Sequence, residues 1–396
     1  MKRPPLEVAD IIRAAGESFI DQQRSRLNGL HLKVLSAIER CRTAALGGHR
    51  DCCARCGFTA AISYNSCRNR HCPKCQRGAR DKWLAAREKE LLAVPYVHVV
   101  FTVPRRLVDS MFHNKQLLYG LLFRASAASL LEFAADPKHL GAQIGFLSVL
   151  HTWGQNLVHH PHVHCVIPAG GLSPDHGAWI RPRYRFFLPV QALSIVFCGK
   201  FVDALERAYH NNKLCLPSAL KPLRQEKAFR SFVRSLHQKD WVVYAKPPFG
   251  GPRYVLNYLA RYTHRVAISN HRLVAFADGK VTFRWKDYAR GGKKRLMTLT
   301  AEEFLRRFLQ HVLPHGFIRI LFFGFLAARK RGTLLSLCQQ LLQSDRTTPA
   351  KPSGAGKSCA PGTAWTCPTC GAPMIVIERL NAWQLQQKPG KYFDTS

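Results

Sequence analysis

Apolar residues recur at helical spacing from the start of the chain: Val8, Ile11, Ile12, Ala15 and Phe19 share one face, and "LHLKVLSAIERC" repeats the pattern. The first forty residues therefore predict a helical lead-in. From Gly47 to Lys82 the periodicity stops, and glycine, cysteine and basic residues take over. "WLAAREKELLAV" returns to helix. "YVHVVFTVP" (96–104) then alternates in a β-branched run closed by Pro104, which predicts a strand. Residues 107–133 read as helix, and "QIGFLSVL" (143–150) and "HVHCVIPAGG" (162–171) as strands. Asp278-Gly279 between "RLVAFA" and "KVTFRW" predicts a hairpin.

Antiparallel strands with separate helices favour an α+β fold over a doubly wound sheet. "QSDRTTPAKPSGAGKSCAPGTA" (343–364) lacks an apolar pattern and reads as a linker before a cysteine-bearing tail. The expected organisation is 1–90 for the lead-in and a small zinc-binding domain, 91–342 for the main domain, and 343–396 for linker and tail.

Charge changes the picture. Lys and Arg total 59 against 24 acids in 396 residues, a net charge of +35 with a pI near 10.2. Such an excess suits a polyanion whose counterions are released on binding, and the cations are not confined to one amphipathic block as they would be for a membrane surface. The opening "MKRPPLEVADIIRAAGESF" lacks the apolar core of an export signal, and "GFIRILFFGFLAA" (316–328) is too short to span a bilayer and contains Arg319. A cytoplasmic protein acting on the nucleoid is expected, with no membrane partner.

Fourteen cysteines in close pairs, without an export signal, point to metal rather than disulfides. Cys53/Cys56 and Cys72/Cys75 are each spaced C-x2-C with fifteen residues between, so they predict one tetrahedral, structural Zn²⁺ site. Cys52, Cys67, His49 and His71 could replace a member or build a second site. The tail has one more such pair, Cys367/Cys370, for which Cys359 or Cys338 would have to supply partners.

"HHPHVHC" (159–165) holds four histidines. On a strand His162 and His164 project to one face, a platform for a divalent ion. Alone, an H-apolar-H triplet is weak. Its complement is "GGPRYVLNYLARYTHRVAISNHR" (250–272), where Tyr254, Tyr258 and Tyr262 fall at i, i+4 and i+8 with Arg261 and Arg265 nearby. Phenols flanked by guanidinium groups suit attack on a phosphodiester. Between 137 and 202 the only acid is Asp175, so a carboxylate-built two-metal centre is not available there. "WIRPRYRFF" (179–187) and "FRWKDYARGGKKR" (283–295) interleave rings with cations, as single-strand binders do.

"SCRNRHCPKCQ", "HVVFTVP", "LHTWGQNLVHHPHVHCVIPAGG" and "YLARYTHRVAISNHR" resemble, in order, the two-tyrosine HUH transposases of the insertion sequence ninety-one family, across most of residues 45–290. The resemblance implies a nuclease domain with a central antiparallel sheet flanked by helices, preceded by the zinc-binding domain. It also implies that His162-Val163-His164 is the HUH motif, that Tyr258 and Tyr262 are paired nucleophiles, and that Mg²⁺ or Mn²⁺ serves beside structural zinc. Gln155 is the first candidate for a third metal ligand, then His151 and His160; Tyr254 is assigned to packing. The implied activity is rolling-circle transposition through single-stranded DNA and 5′-phosphotyrosine links, without a nucleotide cofactor. The alternatives are a zinc-containing nucleic-acid binder without catalysis, and a replication initiator or relaxase.

Overall fold

The computed structural model describes every residue except 1–3, 184–188, 239–240, 250–253, 255–266, 288–290, 345–365 and 388–396. The lead-in forms α1 (Val8–Gln23) and α2 (Gly29–Glu39), the latter capped by Asn28, whose side chain accepts from the His31 amide. β1 (Gly48–Cys53) and β2 (Ser63–Tyr64) follow, then α3 (Gln76–Glu88). The first strand of the main sheet is β3 (Tyr96–Thr102), succeeded by α4 (Val108–His113) and α5 (Lys115–Ala135).

β4 (Gly145–Trp153) and β5 (His159–Pro168) form the centre of that sheet. The short pair β6 (Gly171–Leu172) and β7 (Trp179–Ile180) leads to α6 (Val190–His210), α7 (Glu226–His237) and β8 (Val243–Phe249). After the hairpin sheet of β9 (Leu273–Ala277), β10 (Lys280–Asp287) and β11 (Lys293–Thr300) come α8 (Ala301–Gln310), β12 (Ile320–Gly324) and α9 (Ala328–Ser344). The tail adds β13 (Met374–Leu380) and α10 (Ala382–Gln387).

The main sheet runs β12-β4-β5-β3-β8 with every neighbour antiparallel, so the fold is α+β as expected. Strand alternation splits its side chains between two cores. Val97, Val99, Phe101, Val163, Cys165 and Ile167 face the core built with α5 and α6. Leu147, Val149 and Val166 face Phe325 and the Leu335, Cys338 and Leu342 side of α9. Among the described residues one helix, Lys115–Ala135, is long and apolar enough to cross a membrane, and 67% of its apolar window is buried in the protein.

A second core joins distant segments. Val8, Ile11, Phe19 and Val34 of the lead-in pack with Phe283, Phe304 and Phe308 of the hairpin sheet and α8. The hairpin forms where Asp278-Gly279 predicted it: both residues have positive φ (50° and 67°), and Ala277 pairs with Lys280. The apolar segment 316–328 supplies β12, an edge strand. The expected linker falls almost wholly in 345–365, outside the described residues, but the tail beyond it returns to the start of the chain. β13 pairs along β1 in a three-stranded sheet of order β13-β1-β2.

Candidate metal centre

The antiparallel register places His151 of β4 directly opposite His162 of β5, and Val149 opposite His164. Residues facing each other across strands hold their Cβ atoms about 5 Å apart, so His151 is delivered to the same face as the H-x-H pair. One ring nitrogen from each of His151, His162 and His164 lies within 4.8 Å of the others. The ring centroids are 5.4 Å (151 to 162), 4.8 Å (162 to 164) and 4.4 Å (151 to 164) apart. Among the described residues no carboxylate joins this group.

Hydrogen bonds orient the rings. His162 Nδ1 donates to the His160 carbonyl at 2.7 Å, which leaves its Nε2 lone pair for a cation. Burial, reinforced by His160, pulls the His162 pKa to about 4, so the ring is neutral at neutral pH, the form that binds metal. His164 Nδ1 lies 2.9 Å from His98 Nε2, the two rings stacked with centroids 5.1 Å apart. His98 is buried on β3 at this face. Trp153 stacks on His151 at 4.5 Å. A divalent ion fits this donor set: three imidazoles converge at the end of a rigid sheet, two of them with ordered hydrogen-bond partners.

Of the three residues considered as third ligand, His151 is the one whose ring joins the group. Gln155 is two residues past β4, in the turn to β5, where its backbone carbonyl accepts from Arg272. His160 is exposed, with its ring 5.2 Å from His162. The fourth histidine of the motif, His159, points to the other face, where its Nε2 meets the Tyr119 hydroxyl at 2.7 Å. Beside it, His311 Nε2 donates to the Leu157 carbonyl at 3.1 Å, while Nδ1 is 3.2 Å from the Thr152 hydroxyl. Burial lowers both pKa values, to about 2 for His159 and about 3 for His311.

Tyr258, Tyr262, Arg261 and Arg265 lie outside the described residues. Tyr254, assigned to packing, is instead 71% exposed. Two rings expected to stack on bases are core residues: Phe283 is fully buried, and Trp179 packs on Phe325. Cations of the same stretches, Arg181, Arg183, Arg284, Lys286 and 293–295, are exposed.

The cysteines assemble differently from the expectation. Cys53/Cys56 and Cys72/Cys75 do not share a site: they belong to two separate quartets, Cys41–Cys67–Cys72–Cys75 and Cys53–Cys56–Cys367–Cys370. The first pair ends β1, whereas the second opens α3 and packs with Cys41 and Cys67 against the α1–α2 core. β2 lies between them in sequence and pairs with β1, so the intervening segment does not fold the two pairs together. In the first quartet Cys75 Sγ is 3.5 Å from Cys41 Sγ and 3.6 Å from Cys67 Sγ. These gaps are far too long for a disulfide and close to the roughly 3.8 Å edge of a ZnS₄ tetrahedron with 2.3 Å bonds. Cys67 was legible as a possible member; Cys41, at the end of a helix and isolated in sequence, carried no spacing signal. Cys338 is on α9, in the apolar core, Cys359 is outside the described residues, and neither His49 nor His71 joins a quartet.

A family model described as "Putative transposase" matches residues 145–333, and one described as "Transposase zinc-binding domain" matches 11–103. The chain is 50% identical to "Putative transposase y4qJ" of Sinorhizobium fredii, covering 96% of each protein. It is 28% identical to "Transposase for insertion sequence element IS801" of Pseudomonas savastanoi pv. phaseolicola, over 91% of this chain and 86% of that protein. No solved structure matches. With identity of this extent along nearly the whole length, and with a thiolate quartet and an imidazole group inside the matched regions, the chain belongs to the IS91-type transposase family bearing an N-terminal zinc-binding domain.

Proposed function

We propose that the chain cleaves and rejoins single-stranded DNA at the ends of a mobile element, by rolling-circle transposition, with Tyr258 and Tyr262 as nucleophiles. The observation that carries this reading is the convergence of His151, His162 and His164 on one sheet face with the His162 Nε2 lone pair left available.

In the proposed reaction the Tyr258 phenol oxygen attacks the scissile phosphorus. The bond to the 3′-oxygen breaks, the phenol proton is lost to solvent, and the departing 3′-oxygen is protonated to a free hydroxyl. Arg261 and Arg265 hold the non-bridging phosphate oxygens. His151, His162 and His164 would hold a divalent ion such as Mg²⁺ or Mn²⁺, which would supply charge withdrawal from the phosphate. Nitrogen donors without a carboxylate suit a transition ion better than Mg²⁺. Tyr262 takes the second strand end, and attack of a 3′-hydroxyl on the phosphotyrosine restores the phosphodiester. Bond energy is conserved in the link, so no nucleotide is consumed. The surface cations and the net charge of +35 supply the backbone attraction, and the reaction belongs in the cytoplasm, where the element's DNA is.

The test is a denaturant-resistant adduct between the chain and a single-stranded element-end oligonucleotide in Mn²⁺ or Mg²⁺. Adduct is expected with the native chain and is lost in the Tyr258→Phe, Tyr262→Phe double variant, with DNA binding retained. Adduct persisting in that variant, or none from folded, metal-loaded protein, removes the reading.

A further inference from the structure

We infer that Cys53, Cys56, Cys367 and Cys370 form a second Zn²⁺ site, a clasp that holds the C-terminal tail on the N-terminal module. It rests on thiol and backbone geometry alone and stands apart from the strand-transfer reading. Cys367 and Cys370 lie outside both segments matched by family models. Cys53 Sγ is 3.4 Å from Cys370 Sγ, and Cys56 Sγ is 3.5 Å from Cys367 Sγ, partners separated by 317 and 311 positions in the chain.

The two halves of this site are the same backbone device used twice. Each is C-x2-C-G. The glycine after each pair has positive φ, 72° at Gly57 and 70° at Gly371. The Gly57 amide donates to the Cys53 carbonyl at 3.0 Å, and the Gly371 amide to the Cys367 carbonyl at 2.9 Å. The Cys53 and Cys367 amides each donate at 2.8 Å, to the carbonyls of Phe58 and Ala372. Even the flanking bridges correspond, Cys52 with Thr59 and Thr366 with Pro373. Such knuckles point backbone amides and thiols toward one centre, and two of them facing each other supply four sulfurs and no open position, the arrangement of a structural zinc ion.

The surroundings explain why a metal is required. The apolar cluster at the knuckles consists of Cys53, Ala60, Cys367 and Met374, and the one at the far end of the sheet of Ile62, Leu380 and Leu385. Ile375, Val376 and Ile377 of β13 are about half exposed. Cores this small do not hold a three-stranded sheet together without a staple. Zinc would supply it, and the energy of binding would become the energy of docking the tail.

Elemental analysis of the folded full-length chain is expected to return two zinc ions, one per quartet. In Cys367→Ser, Cys370→Ser it is expected to return one, with circular dichroism retained and amide exchange across 374–380 faster by roughly tenfold or more. One ion in both proteins, or β13 exchange unchanged in the variant, overturns the clasp. Should the variant not fold, Co²⁺ reconstitution of the native chain decides: thiolate-to-cobalt absorption equal to two tetrathiolate centres is expected, and absorption equal to one overturns it.

Discussion

The imidazole group and the thiolate quartets are both built to receive a cation, yet they are assembled in opposite ways. His151, His162 and His164 sit on two adjacent strands joined by a five-residue turn, and the register of one hairpin brings them together. Their rings rest on a sheet buried on both faces, so the donor geometry exists before a metal arrives. The second quartet draws its sulfurs from opposite ends of the chain, and its supporting core is a handful of side chains. There the ion would make the structure rather than exploit it. A site on a rigid sheet can lose its ligand and keep its local structure; a site that replaces a core loses the docking of the segment it holds.

The largest effect expected from this contrast is on activity without loss of structure. His162→Ala removes a half-buried ring whose Nδ1 bond is only to a local carbonyl. Adduct formation on single-stranded DNA is expected to fall by about three orders of magnitude or more, the loss of metal-assisted charge stabilisation. The thermal midpoint should move by only a few degrees. A comparable loss of stability would show that the imidazoles are structural, and would break the contrast.

Next in size is a pH effect on the sheet's opposite face. Burial holds His159 and His311 at about 2 and about 3, well below the ordinary 6.5. Between pH 6.5 and those values the unfolded chain binds two protons that the folded chain refuses. Stability from these rings is therefore complete above pH 6.5 and declines on acidification, by up to about 2.7 kcal/mol per pH unit. Urea melts at stepped pH check the slope, which should be shallower by about 1.4 kcal/mol per pH unit in His311→Gln. A flat profile would mean the rings are hydrated and the face is less rigid than drawn.

The smallest expected effect sharpens the description of the metal centre itself. His98 meets the Nδ1 of His164 and is not one of the three grouped imidazoles, so its role toward a bound ion would be that of a positioning residue. His98→Ala is expected to weaken Mn²⁺ binding by ten- to a hundredfold, in keeping with other groups that orient a ligating histidine. His98→Gln, which can still accept from His164 Nδ1, should recover part of that loss. Equal defects in both variants would assign His98 to packing alone.

The main elements were legible in the sequence because each rests on local chemistry. Helical spacing predicted α1, α2 and α5, β-branched runs predicted β3, β4 and β5, and Asp278-Gly279 announced its hairpin through residues that tolerate positive φ. The H-x-H pair was legible for the same reason, since strand alternation alone puts His162 and His164 on one face. What failed was everything that depends on which segments meet. His98 was a single polar residue in an apolar run and His151 stood only behind Gln155 as a candidate ligand; strand register is what makes both neighbours of the pair.

Spacing grouped Cys53/Cys56 with Cys72/Cys75 because they are near in sequence. The fold instead gave one pair Cys41 and Cys67 and the other the distant tail. A C-x2-C turn specifies half a tetrahedron from local backbone geometry and says nothing of its other half. The partner is set by β13 pairing along β1 and by α2 packing beside α3's first turn, contacts whose sequence separation leaves no periodic trace.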